Sequence, residues 1–129
     1  MLKPLHPFIK TPGGGIDPVA LGEQRGRLPE DMRLTAATYL RSCPVFLAWM
    51  EYTRDVLEGR FAVAGGSGVK CDGVYYWRSD AADYVEAYGI GFDPDFLRHV
   101  QAKQWRPPVF DKLTYLTIFT ELQQVLVGD

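Results

Sequence analysis

The sequence predicts an α+β domain, a small antiparallel sheet with about four helices packed on one face. Three observations point there. The turn dipeptide Asp72-Gly73 sits between Val69-Lys70-Cys71 and Val74-Tyr75-Tyr76-Trp77, the pattern of a β-hairpin. The unbroken apolar run Val45-Phe46-Leu47-Ala48-Trp49-Met50 has the length and content of a strand buried on both faces. Segments with helical caps and helical periodicity lie before and after these. At 129 residues the chain has room for one core, and 47% hydrophobic with 23% charged residues describes a globular domain rather than a disordered tail.

Residues 1–29 hold five of the nine prolines and the run Gly13-Gly14-Gly15, so they are expected to form an extended N-terminal arm ahead of a globular domain over 30–129. Leu5, Phe8, Ile9, Ile16, Val19 and Leu21 would let the arm wrap over the core; a partly disordered arm is the alternative. Pro29-Glu30-Asp31 suits the first turn of a helix over 30–41, with Met32, Thr35/Ala36, Tyr39 and Leu40 on one face. Ser42-Cys43-Pro44 ends it, because the residue before proline is pushed out of the α region. The 45–50 run follows, a helix continuing through Leu57 being the alternative. The strand is preferred because a lone hairpin is marginal and needs a third strand.

Phe61-Ala62-Val63-Ala64 follows the turn-like Glu58-Gly59-Arg60 and leads into Gly65-Gly66-Ser67-Gly68. After the hairpin, Ser79 or Asp80 caps a helix over 81–88, and Gly89 stops it. Asp93-Pro94-Asp95 starts another, running to about Gln104 before Pro107-Pro108 breaks the chain. From Phe110 to Val127, Tyr115, Ile118, Phe119, Leu122, Val125 and Leu126 share one helical face, although the threonines leave a strand over 113–119 open.

Several function classes lose support. No apolar run approaches the roughly 20 residues that span a bilayer, and the first residues lack the apolar core of a secretory signal. Cys43 and Cys71 have no CxxC partner, and His6 and His99 lack zinc-site spacing, so free buried thiols in a cytoplasmic protein are expected. A pI near 5.6 argues against nucleic acid as the main ligand, since Arg98, Lys103, Arg106 and Lys112 are spread over 15 residues. In Gly65-Gly66-Ser67-Gly68-Val69-Lys70, Val69 stands where a phosphate loop needs its lysine. Nothing in the sequence places either cysteine against His99 as a nucleophile–base pair, and no calcium-loop pattern is present. No cofactor and no metal are expected.

What remains is a charge asymmetry. Residues 72–95 carry six acids (Asp72, Asp80, Asp83, Glu86, Asp93, Asp95) against Arg78 alone. That segment holds about −5 in a chain of net −2, leaving about +3 elsewhere, and such a surface suits a basic partner. Asp80, Asp83 and Glu86 recur every three residues along one side of a helix, as a solvated face or a partner-facing patch. Tyr75, Tyr76, Trp77, Tyr84 and Tyr88 form an aromatic group, readable as core or as interface anchors, with Tyr76 on the opposite strand face from Tyr75 and Trp77.

Tyr39-Leu40 with Cys43-Pro44, Arg54-Asp55-Val56-Leu57, Gly65-Gly66, Asp72-Gly73-x-Tyr75-x-Trp77-Arg78-x-Asp80, Tyr84-Val85-x-x-Tyr88-Gly89-Ile90 and Phe96-Leu97-x-His99 recur together over residues 38–98. This pattern resembles small bacterial immunity proteins that accompany polymorphic or contact-dependent toxins. The resemblance covers about half the chain and implies a non-enzymatic inhibitor of a cognate toxin domain, basic and nuclease-like. On that reading Asp72, Asp80, Asp83, Glu86, Asp93 and Asp95 supply the electrostatics, and Tyr76 and Tyr88 the anchors. A small metal-dependent hydrolase or a self-associating adaptor subunit is the alternative.

Overall fold

The structure, a computed structural model, describes residues 1–127. In chain order the elements are β1 (Lys3–Pro4), α1 (Pro18–Glu23), α2 (Glu30–Ser42), β2 (Val45–Leu47), β3 (Tyr52–Arg54), β4 (Ala62–Ala64), β5 (Val69–Cys71), β6 (Tyr75–Arg78), α3 (Ala81–Tyr88), α4 (Pro94–Ala102) and α5 (Lys112–Leu126). The α+β class stands. The sheet is mixed rather than antiparallel: its order is β1-β6-β5-β2, and β1 runs parallel to β6. β3 and β4 form a separate antiparallel ribbon.

The helices do not share one face. Tyr75 and Trp77 point from β6 into a core built with α1 to α4, whereas Tyr76 points the other way, into a core closed by Ile118, Leu122 and Leu126 of α5. Strand alternation makes the sheet the middle of three layers, because residues of both parities along β6 are apolar and each parity needs its own cover. Trp77 is fully buried and its indole N–H donates to the Leu40 carbonyl at 3.2 Å. Opposite it in register, Lys70 lays its stem along the sheet and donates to the carbonyls of Arg41 and Cys43, where α2 ends.

Residues 1–29 wrap the core, as one of the two expectations held. Leu2, Leu5, Phe8, Ile9, Leu21 and Leu28 are buried, and the Lys3 and Leu5 amides donate to Val74 and Tyr76. Capping follows the sequence at α4, where Asp93 accepts from the Asp95 amide with proline in the first turn, and at α3, where Gly89 is left-handed. The hairpin turn is displaced by one residue. Cys71 pairs with Tyr76, so the two turn residues are Gly73 and Val74, and only Gly73 has positive φ, at 95°. Asp72 thereby becomes a strand-end residue that faces inward. The 45–50 run is also shorter than expected: β2 ends at Leu47, and Ala48 to Met50 are exposed. No helix over the described residues is long and apolar enough to cross a membrane.

Candidate functional site

The motif Trp77-Arg78-x-Asp80 does its structural work through Asp80. Asp80 takes the expected N-cap position of α3, but its side chain makes no capping bond there. Its carboxylate instead takes both Arg78 Nε, at 3.1 Å, and Arg78 Nη2, at 2.9 Å, and accepts from Thr53 Oγ1 at 3.0 Å. Burial raises its pKa even against the Arg78 guanidinium and the Thr53 hydroxyl, which pull it down. The remaining Arg78 arm reaches the Gly14 carbonyl at 3.2 Å, so the pair ties the N-terminal segment and the β3–β4 ribbon to the end of β6.

Next to this pair the glycine-rich segment 65–68 acts as a spacer-free contact between backbones. Ser79 and Asp80 amides donate to the Gly68 and Gly66 carbonyls at 2.7 and 3.0 Å, and the Gly65 amide donates to the Glu51 carbonyl at 2.7 Å. A Cβ at Gly66 would fall 1.8 Å from Thr53 Oγ1, and one at Gly68 2.9 Å from the Leu47 carbonyl oxygen. Close approach, rather than a phosphate, explains these glycines. The result is a loop over residues 48–51 pressed against 65–68 while its side chains point outward. Trp49 is 48%, Met50 101% and Tyr52 78% exposed. Behind them opens a cleft of about 320 Å³ lined by Gly13, Trp49, Glu51, Ser67, Arg78 and Leu126, among others.

Half of the residues expected on a partner surface are inside the molecule. Asp72 and Asp80 are each 2% exposed, Tyr76 1% and Tyr88 3%, so none of the four presents a side chain to a partner. Asp72 is the acceptor for Tyr39 Oη at 2.7 Å, His99 Nε2 at 2.8 Å, and the Val74 and Tyr75 amides at 3.0 and 2.8 Å. Tyr76 fills the α5-side core. The Tyr88 ring lies under the guanidinium groups of Arg25 and Arg60, 4.8 and 4.7 Å away, and its hydroxyl donates to Asp55. Of the surface acids, Asp83 and Glu86 share Arg41 at 3.1 and 3.0 Å, Asp95 pairs with Arg98, and Asp93 caps α4. Four of the six acids in the dense negative segment are thus divided among Arg41, Arg78 and Arg98, of which Arg41 alone is distant in sequence, while Asp72 and Asp93 take other donors.

Asp55 gives a test of this internal electrostatics. Burial pushes its pKa up, but the Tyr88 hydroxyl and the Arg60 and Leu57 amides outweigh burial and hold the carboxyl below its usual range. A depressed native pKa contributes stability above the unfolded value, and that contribution is lost as pH falls through the native one. Asp55→Asn should therefore lower the urea midpoint at pH 7, and its deficit against wild type should shrink below about pH 4. A deficit that stays constant from pH 7 to 3 would remove the carboxylate from this role.

The Tyr39–Asp72–His99 cluster also brings in Cys43, and so unites residues that the sequence left apart. Its chemistry is that of a hydrogen-bond hub. Burial first, and then Asp72, push the Cys43 thiol up to about 12, the reverse of an activated nucleophile. Burial pushes Cys71 to about 12 as well, and both thiols are free. Among the described residues no three His, Cys, Asp or Glu side chains converge as metal ligands would.

No family model, curated protein or solved structure matches this chain. The likeness to immunity proteins therefore rests on the motif residues quoted above, and in this fold those residues are mainly builders. Asp72, Tyr75, Trp77, Arg78 and Asp80 assemble the sheet and prop the 48–51 loop; the exposed side chains of that loop, and Tyr52 at the start of β3, lie outside the motif. Sequence reasoning missed Trp49, Met50, Glu51 and Tyr52 because the first two close an apolar run. Glu51 lies just past the run and carried no signal that β2 had already ended at Leu47.

Proposed function

We propose that this chain is a cytoplasmic binding protein of the immunity type, which captures a basic toxin domain and blocks it without chemistry of its own. The observation that carries the reading is the triplet Trp49, Met50 and Tyr52. Three large side chains stand exposed, Trp49 and Met50 on a loop whose backbone is held by Gly65 to Gly68 and, through them, by the buried Arg78–Asp80 pair, and Tyr52 at the start of β3, which pairs with β4. Aromatic and methionine side chains on a preorganised loop are what interface hot spots use, since little ordering entropy remains to be lost on docking. A net charge of −2 favours encounter with a basic surface. Asp83 and Glu86, two charges against one Arg41, and the half-buried Asp93 keep the peripheral steering role expected of them.

The test is capture from the source cell at moderate salt, identification of the bound protein, and titration of its activity. Stoichiometric loss of a toxin activity supports the proposal. Capture of nothing, of a second copy of the chain alone, or of a protein whose activity is unchanged overturns it. Trp49→Ala with Tyr52→Ala should weaken the complex at least 30-fold, about 2 kcal/mol, with circular dichroism unchanged because both side chains face solvent. Unaltered affinity would place the docking surface elsewhere.

A further inference from the structure

We infer that the cleft behind Trp49 receives an arginine side chain of the partner. This assignment rests on the binding reading and names the chemistry of its central contact. Three features of the cleft select a guanidinium. Trp49, 48% exposed, contributes an indole to the lining, the best of the aromatic side chains for a cation. Glu51 supplies a carboxylate within the same lining, and among the described residues no basic side chain pairs with it. Its one side-chain partner is the Ser67 hydroxyl, which donates to Oε1 and fixes the carboxylate in place. A planar, weakly hydrated cation that both stacks on an indole and takes a carboxylate with two parallel N–H groups is a guanidinium.

The cation already in the wall does not oppose this. Arg78 is held by both oxygens of Asp80 and by the Gly14 carbonyl, so its charge is balanced within the protein. Glu51 is therefore the uncompensated charge among the lining residues, which also include apolar Leu47, Val69 and Leu126. Gly13, Gly14, Gly15 and Ser67 complete the lining.

The experiment titrates the isotopically labelled full chain with N-acetyl-arginine methylamide, using the citrulline analogue as the neutral isostere. Trp49→Phe assigns the Trp49 indole resonance. Concentration-dependent shifts of that indole and of the Ser67 and Gly13 amides are expected with the arginine probe. Glu51→Gln should reduce the apparent affinity about fivefold or more. Shifts that are absent, that map elsewhere, or that are equal for citrulline or for Glu51→Gln overturn the assignment. Glu51→Gln should also weaken the captured partner without altering the circular dichroism spectrum. If the partner still binds Glu51→Gln at full affinity, the cleft assignment fails and the binding reading survives. If no partner is captured at all, the binding reading fails, whatever the arginine titration shows.

Discussion

Asp80→Ala should destabilise the protein by about 3–5 kcal/mol, read as a fall in the urea midpoint, because it leaves the Arg78 guanidinium buried with no counter-charge. The loss is mostly the cost of the stranded cation, not the worth of the pair. Replacing both members with apolar residues, Arg78→Met with Asp80→Leu, should accordingly recover much of it. Asp80 also has a distinct pH signature. Its native pKa is raised, so the folded state holds the proton more firmly than the unfolded chain, and stability declines as pH rises through the window above about 3.9. Asp80→Ala lacks that decline. A variant that loses less than 1 kcal/mol would mean that Arg78 finds water or another acceptor, and that the pair does not prop the loop.

The second large effect is expected at Asp72. Asp72→Ala removes the acceptor for Tyr39 Oη, His99 Nε2 and two backbone amides at once. Each buried donor left without a partner costs about 1–3 kcal/mol, so a loss of about 3 kcal/mol or more is expected in equilibrium unfolding. The damage should be concentrated where α2 and α4 meet the hairpin, because Tyr39 also packs on Trp77, Phe96 and Trp105. Near-ultraviolet circular dichroism reads those aromatics directly. Asp72→Asn keeps an acceptor oxygen but turns an N–H toward one of the donors, so it should fall between wild type and alanine. A neutral Asp72→Ala would refute the hub.

How far the sequence spoke depends on how local each signal was. Pro29-Glu30, Gly89 and Asp93-Pro94 act within one helical turn, and α2, α3 and α4 begin and end where they indicate. The free thiols and the wrapped N-terminal segment agree with expectations that composition supports. The fate of the acids was not legible, because it was decided by partners far along the chain. Arg41 reaches Asp83 and Glu86 from α2, and Tyr39 reaches Asp72 across 33 positions. A one-residue displacement of the hairpin turn was enough to send Asp72 inward, since side-chain facing alternates at every position. The apolar run at 45–50 misled for a related reason. Hydrophobicity alone does not separate a buried strand from a strand followed by an exposed anchor loop.

The cleft is lined from the 13–15 segment, from Leu47, Trp49 and Glu51, from Ser67, Val69 and Arg78, and from Leu126, and the Gly13 amide donates to the Leu126 carbonyl at 3.0 Å. A pocket that joins the 13–15 segment to Leu126 depends on two segments far apart in sequence being docked together. It cannot form without α5 in place, and a break that frees α5 would abolish it even with the motif strands intact. A partner that fits there selects copies with α5 docked, and by mass action it holds them in that state.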